Sequence, residues 1–309
     1  AQPFSRFGFY RDIGTVDVAD ETYRFGYTAM ASRPCPLPED IEEQSLECDK
    51  LSEEAVRLHL DHVLLPLQSR LGPFLGKAFK HILMDSYEVG TPTWTDCFRE
   101  EFEKSCGYDP LPFLPVFAGV DMADGVRFKE DFDRVVSELF ARNHYAQFSR
   151  RIAEAGLQFQ LEPYGGPFDG WEVAQYAHVP MVEFWGVPYA PEHRLMKFGG
   201  SPRHTGAVGR ACGRNLVATE AFTGGPGTSK WVSAPRHFKS MGDATFARGI
   251  NRLTLHHWVH QPFPACRKPG NGMGYWGTHF GENQTWHEPG KAFFRYLRNC
   301  QEWLQRGEE

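Results

Sequence analysis

Short apolar runs alternate along the chain with longer stretches in which apolar residues return every three or four positions. The runs are His81-Ile-Leu-Met-Asp-Ser-Tyr-Glu88, Leu157-Gln-Phe-Gln-Leu-Glu-Pro-Tyr164, Val179-Pro-Met-Val-Glu-Phe-Trp185 and Leu216-Val-Ala-Thr-Glu-Ala-Phe222. Each has the length of a strand buried on both faces in a parallel sheet. Further strands are predicted over 24–30 and 250–258. The periodic stretches predict a helix from Ser52 with Val56, Leu60, Val63, Leu64 and Leu67 on one face. Acids fill its first turn, where the helix dipole favours negative charge. Other helices are predicted near 94–105, over 126–155, over 233–248 and at the carboxyl end, the last with Phe293, Leu297, Cys300 and Leu304 inward. The 126–155 stripe is set by Phe128, Phe132, Val135, Val136, Leu139, Phe140 and Ile152. Residues 192–213 read as helical or irregular, 33–50 as an exposed proline-rich, acidic loop, and Gly107-Tyr-Asp-Pro-Leu-Pro-Phe-Leu-Pro115 as too proline-rich for regular structure.

Strands alternating with helices give βαβ units and a parallel sheet with right-handed crossovers. The expected architecture is one α/β-barrel domain over 1–309, with an irregular segment over 1–50 and βα units over 51–309. The pattern supplies six good strands, not the eight of a (β/α)8 barrel of the TIM type.

In four strands a Glu falls where the strand stops: Glu88, Glu162, Glu183 and Glu220. Carboxylates at the carboxyl ends of parallel strands, with aromatic neighbours, are what a sugar-cleaving cleft requires. Glu88 has Tyr87 and Trp94 nearby as part of an apolar surround able to raise its pKa; a structural or helix-capping carboxylate at a strand end is the plainer reading. Glu220 sits among short side chains before Gly224-Gly225, which leaves room for water or a sugar ring, or else it anchors a loop. Glu162 and Glu183 are left to bind hydroxyls, to tune a neighbour, or to hold a cation, and Asp85 lies at the same rim. Converging carboxylates repel one another unless a hard cation such as Ca²⁺ joins them. Tyr164 and Trp185 offer rings at the same strand ends, and His256, His257, His260 and Gln261 offer grips for sugar hydroxyls. A zinc site is disfavoured, since no His-x-His accompanies the early strands. Gly270-Asn-Gly-Met-Gly-Tyr-Trp-Gly-Thr-His279 follows no strand and opens no helix, so it reads as an aromatic-tipped substrate loop carrying Trp276 and His279 rather than a dinucleotide loop.

Composition narrows the classes. The net charge is −6 with no basic run, which excludes a nucleic-acid footprint. No apolar stretch approaches the ~18 residues of a membrane span. Aromatics reach 14%, in keeping with stacking on sugar faces. Seven cysteines leave at least one unpaired; Cys35 and Cys48 flank the acidic loop and are either bridged or free. The chain starts at Ala1 without Met, which fits either a removed signal peptide, and so a periplasmic or secreted enzyme, or a trimmed chain, with the cytoplasm also open.

With these motifs in hand, the chain resembles the catalytic barrel of glycoside hydrolase family 106, the α-L-rhamnosidases. The resemblance rests on Leu46-Glu-Cys-Asp-Lys-Leu-Ser52, Asp85-Ser-Tyr-Glu88, Gly107-Tyr-Asp-Pro-Leu-Pro112, Ala218-Thr-Glu-Ala-Phe222, Gly249-Ile-Asn-Arg252, His256-His-Trp-Val-His-Gln-Pro262 and Gly274-Tyr-Trp-Gly-Thr-His-Phe280. It implies hydrolysis of terminal rhamnosides with inversion, aided by a calcium ion that binds the sugar. By position, Glu88 then looks like the general acid and Glu220 like the general base. It also implies that strand 24–30 is the third of eight, with Glu88 ending the fourth and Glu220 the seventh. On that count a (β/α)8 barrel lacks its first two strands, and residues 4–23, self-association or flanking domains must cover the gap.

Overall fold

The structure is a computed structural model and describes residues 10–18, 21–28, 48–186, 196–225, 231–262, 270–273 and 276–307. The chain divides into two compact units: Ala1–His81 with Tyr87–Gln158 and Gly165–Tyr176, and Ile82–Ser86 with Phe159–Tyr164 and Ala177–Glu309. Most of the 33–50 loop, Cys35 included, lies outside the described residues.

In the first unit, β1 (Tyr10–Val18) pairs antiparallel with β2 (Glu21–Thr28). The strand predicted over 24–30 therefore exists, but in a two-stranded sheet of its own rather than as a member of the parallel sheet. A register shift between Asp12 and Gly14 interrupts the alternation of β1, which is why this stretch reads as irregular. Helix α1 (Glu53–Leu71) starts where Ser52 accepts a hydrogen bond from the Ala55 amide at 3.3 Å. Val56, Leu60 and Leu64 are buried along it, at a strict four-residue spacing. Val63 falls about 100° off that stripe and is exposed, contrary to the face expected for it.

Helix α2 (Phe98–Cys106) is followed by a 3₁₀ helix over Leu111–Ala118, in the segment expected to be irregular. Pro112 sits in its first turn, where no amide is needed, and this short helix tolerates the rest. The long helix predicted over 126–155 is α3 (Gly125–Leu139), a π-helical segment over Phe140–Ala146 and α4 (Gln147–Glu154). The π segment and the first residue of α4 aim two amides at the start of α1: Asn143 donates to the Leu51 carbonyl at 2.7 Å and Gln147 to that of Glu53 at 3.0 Å. Phe98, Phe102, Phe128 and Phe132 pack into an aromatic core between these helices. A short α5 (Gly170–Ala174) completes the unit.

The parallel sheet, whose first two strands begin at the boundary, fills the second unit. Its strands are β3 (His81–Met84), β4 (Gln158–Leu161), β5 (Val179–Gly186), β6 (Met196–Gly199), β7 (Ala218–Gly224) and β8 (Arg252–Leu255). The order is β3-β4-β5-β7-β8, with β6 pairing antiparallel to β5. The Gln158 amide donates to the Lys80 carbonyl and the Glu162 amide to that of Met84, advancing together, so β3 and β4 run parallel, as do β4–β5, β5–β7 and β7–β8. Five parallel strands following one another in chain order form the wall of an α/β barrel.

Residues 192–213, read as helical or irregular, yield β6 and then α6 (Pro202–Ala211). Helices α7 (Pro235–Phe246) and α8 (His287–Leu304) cover one face through Phe238, Met241, Phe293 and Leu297, which pack on Phe184 and Phe222. Cys300 and Leu304 pack against the same cluster, as the periodicity predicted. No helix among the described residues is long and apolar enough to cross a membrane.

Candidate active site

Strands of a parallel sheet deliver their carboxyl-terminal residues to one rim, and in the second unit those residues are acidic. Asp85 follows β3, Glu162 follows β4, and Glu220 lies on β7. One carboxylate oxygen from each lies within 4.8 Å of the others. Glu183 of β5 stands in register beside Glu220 but is not part of this group of three. Its side chain occupies the space above Gly199 of β6, where an added Cβ would come within 2.5 Å of the Glu183 Oε1.

A β-bulge arranges Glu220. Glu183 pairs with Glu220, but Trp185 pairs with Thr223, so β7 carries one extra residue there. The extra residue is accommodated at Phe222, whose φ of 62° is unusual for a bulky side chain. The bulge returns Thr223 to the face of Glu220, and the Thr223 hydroxyl donates to Glu220 Oε1, while Phe222 turns into the helix-covered core. Thr223 was not foreseen as a site residue; in a regular strand a neighbour three positions on points the other way.

Glu162 is 0% exposed. The Tyr164 hydroxyl donates to its Oε2 at 2.6 Å, and Oε1 has no hydrogen-bond partner. Burial above all, with Asp85 and Glu220 adding to it, pushes the Glu162 carboxyl up to about 9 against the Tyr164 hydrogen bond. Burial above all, then Glu162 with its hydrogen bond, Glu183 and Glu220 raise the Tyr164 phenol. A buried carboxyl with an unfilled oxygen, beside two further carboxylates, is the donor set that a hard, oxygen-seeking cation takes.

The histidines gather beside the carboxylates. His256 Nδ1 approaches Glu220 Oε1 at 3.5 Å without a hydrogen bond. Burial holds both His256 and His257 below the ordinary histidine value, so they stay neutral near pH 7 and do not offset the carboxylates. The His257 ring lies 5.4 Å from His256 and 5.1 Å from that of His279, and the Met273 amide donates to His257 at 3.4 Å. Trp185 and Trp276 meet edge to face at 5.6 Å. His260 and Gln261 are exposed, and the His260 backbone bridges to Asn271. Part of the glycine-rich loop, residues 274–275, lies outside the described residues.

Glu88 belongs to the first unit and is exposed. Its neighbours do not form the apolar surround expected of them: Tyr87 packs on Phe140 at 5.2 Å, and Trp94 on Phe98 at 4.6 Å. What is fixed is its backbone. The Tyr87 hydroxyl donates to the Val89 carbonyl at 2.6 Å, and Gly165, at φ 95°, packs so tightly that a Cβ there would lie 2.3 Å from the Tyr87 carbonyl oxygen.

A barrel-wall sheet whose strand ends present carboxylates, neutral imidazoles and paired indoles is the architecture of a glycoside hydrolase. The chain belongs to glycoside hydrolase family 106, described as alpha-L-rhamnosidase, which it matches over residues 20–309. A Formosa agariphila protein named "Putative beta-glucuronidase" is 37% identical over 287 residues, 92% of this chain and 24% of that protein. The solved rhamnosidase of Novosphingobium sp. PP1Y superposes with a TM-score of 0.77 at 28% identity, over 92% of this chain and 27% of that one. The chain thus spans about a quarter of the length of these relatives.

Proposed function

We propose that the chain carries the catalytic wall of an inverting, exo-acting α-L-rhamnosidase, with β3 and β7 as the fourth and seventh strands of a (β/α)8 barrel. The observation that supports this most directly is the Asp85, Glu162 and Glu220 group at the strand ends. Glu88 protonates the glycosidic oxygen, and the bond from the anomeric carbon to that oxygen breaks with its electron pair leaving on the oxygen. Glu220 takes a proton from a water whose oxygen bonds to the anomeric carbon from the opposite face. Thr223 fixes the Glu220 carboxylate through its hydroxyl hydrogen bond.

Asp85 and Glu162 would hold a calcium ion, Glu162 through the buried Oε1 that takes no hydrogen bond among the described residues. Such an ion, when bound, also accepts sugar hydroxyls as ligands. Tyr164 orients Glu162, Trp185 and Trp276 offer ring faces, and the histidines offer hydroxyl partners. Periplasmic or secreted placement fits such an enzyme.

The name of the Formosa relative raises a glucuronide as the competing substrate. Against it, none of the described residues gathered at this rim is cationic, and carboxylates repel a uronate. The test is hydrolysis of aryl α-L-rhamnoside against aryl β-D-glucuronide, with chelator and with Ca²⁺ restored, and with the first-formed anomer read by NMR. Cleavage of the rhamnoside alone with the opposite anomer formed, and sugar binding by calorimetry lost in chelator, is expected. Retained configuration would shift Glu220 to the role of nucleophile in a retaining enzyme. Unchanged affinity in chelator would remove the calcium, and no turnover would leave a carbohydrate-binding module.

A further inference from the structure

At the other ends of β7 and β8, where these strands begin, the second unit has a half-open cavity of about 490 Å³. Arg210 and Arg214, near the end of α6, and Arg306, just past α8, line it, and no Asp or Glu is among the described lining residues. Elsewhere several arginines of this acidic chain are matched with acids: Arg57 and Arg151 with Asp61, Arg99 with Asp109, Arg134 with Asp131 and Arg142 with Glu101. Arg214 and Arg306 enter no ion pair among the described residues. Arg306 lies 5.4 Å over the Trp303 ring, and the Nε of Arg214 is buried without a hydrogen-bond partner.

The amides of the same wall are already committed. Asn251 accepts from the Val217 amide at 2.9 Å and donates to the Asn215 carbonyl at 2.7 Å. Asn215 donates to the Gln305 carbonyl at 2.9 Å, and Gln305 to that of Asn251 at 2.7 Å. This ring of bonds ties the end of α8 to the strand starts and fixes the wall. The guanidinium groups of Arg214 and Arg306 have no protein acceptor among the described residues. A guanidinium presents a planar fork of donors that matches a carboxylate, sulfate or phosphate. Phe246 and Leu304 line both this cavity and an adjoining apolar groove that runs to Trp303, 73% exposed, so a carbon skeleton attached to the anion has a place to lie.

We propose that this cavity is an oxyanion site, taking one carboxylate, sulfate or phosphate group at the end of the sheet opposite the carboxylates. The net charge of −6 disfavours anions over the surface at large, so specific uptake would be confined to this wall. The oxyanion is either free and inorganic or the acid group of a sugar, and the test separates the two. The 309-residue chain would be titrated by calorimetry at low salt with sulfate, phosphate and glucuronate, with glucose as neutral control. At least one anion should bind saturably and glucose should not. Arg214→Ala and Arg306→Glu should each weaken that binding at least ~10-fold, a guanidinium contact being charge-assisted. Arg306→Glu should keep any turnover of aryl rhamnoside unchanged. Binding of sulfate or phosphate marks a free oxyanion, and binding of glucuronate alone marks a sugar-borne one. Arg306 is exposed, so its variant tests the site even if Arg214→Ala fails to fold. No saturable binding, or binding that survives both substitutions, overturns the proposal. Neither outcome bears on rhamnoside cleavage.

Discussion

Glu220 is steadied by Thr223, flanked by Glu183 and faced by an imidazole that stays neutral, while Glu88 is held through the backbone of Tyr87. Glutamine at either position keeps the shape and cannot transfer the proton. Glu88→Gln and Glu220→Gln should each lower turnover of a poor-leaving-group rhamnoside at least ~10³-fold with the fold intact by circular dichroism. Near-full activity in either variant would cancel that role. His144 in the π segment gives a second residue-scale expectation. Burial lowers it from 6.5 to about 3, so the unfolded chain binds a proton here that the folded chain refuses. Stability from this group is full above pH 6.5 and is lost by about 1.4 kcal/mol per unit as pH falls towards 3. His144→Phe should flatten that acid limb in urea midpoints taken between about pH 4 and about pH 7. An unchanged limb would mean that other groups control it. The strand-end carboxylates were legible in sequence because strand ends are short-range signals. That Asp85 shares their rim was legible too; that it groups with Glu162 and Glu220 and not Glu183 was not, since that depends on how β3, β4, β5 and β7 lie side by side.

At the scale of elements, the long helices and the parallel strands were legible because burial imposes a period on them. Three elements were not. The β1–β2 pair is disguised by a register shift, β6 is a four-residue strand whose place comes from β5, and the 3₁₀ helix is built over prolines. The bulge in β7 was equally hidden, because an extra residue in one strand shows only against its partner. The turn after β4 carries its own expectation. In Gly165→Ala the new Cβ would drive into the Tyr87 carbonyl at 2.3 Å and strain a φ of 95°. The segment leading to Glu88 has to move, and turnover should fall ~10²-fold while the helical signal stays native. Wild-type kinetics in this variant would show that the close approach does not position Glu88.

At the scale of the whole molecule, the outer edges of β3 and β8 carry no further strand among the described residues. Unpaired edges invite association with another chain, and five parallel strands do not close an eight-stranded cylinder. Sizing with light scattering should therefore show self-association of this chain, or a low unfolding temperature if it stays monomeric. A compact monomer that melts cooperatively at high temperature would show that both edges are covered. The side-by-side placement of Glu183 and Glu220, with Glu162 sealed nearby, has a consequence of another kind. Like charges across a strand pair and a buried carboxyl with an empty oxygen both weaken a sheet. A library of this chain selected for heat resistance alone would shed acids from these strands before it altered a helix. The positions that laboratory evolution abandons first would then be a map of where natural selection has held stability below its optimum.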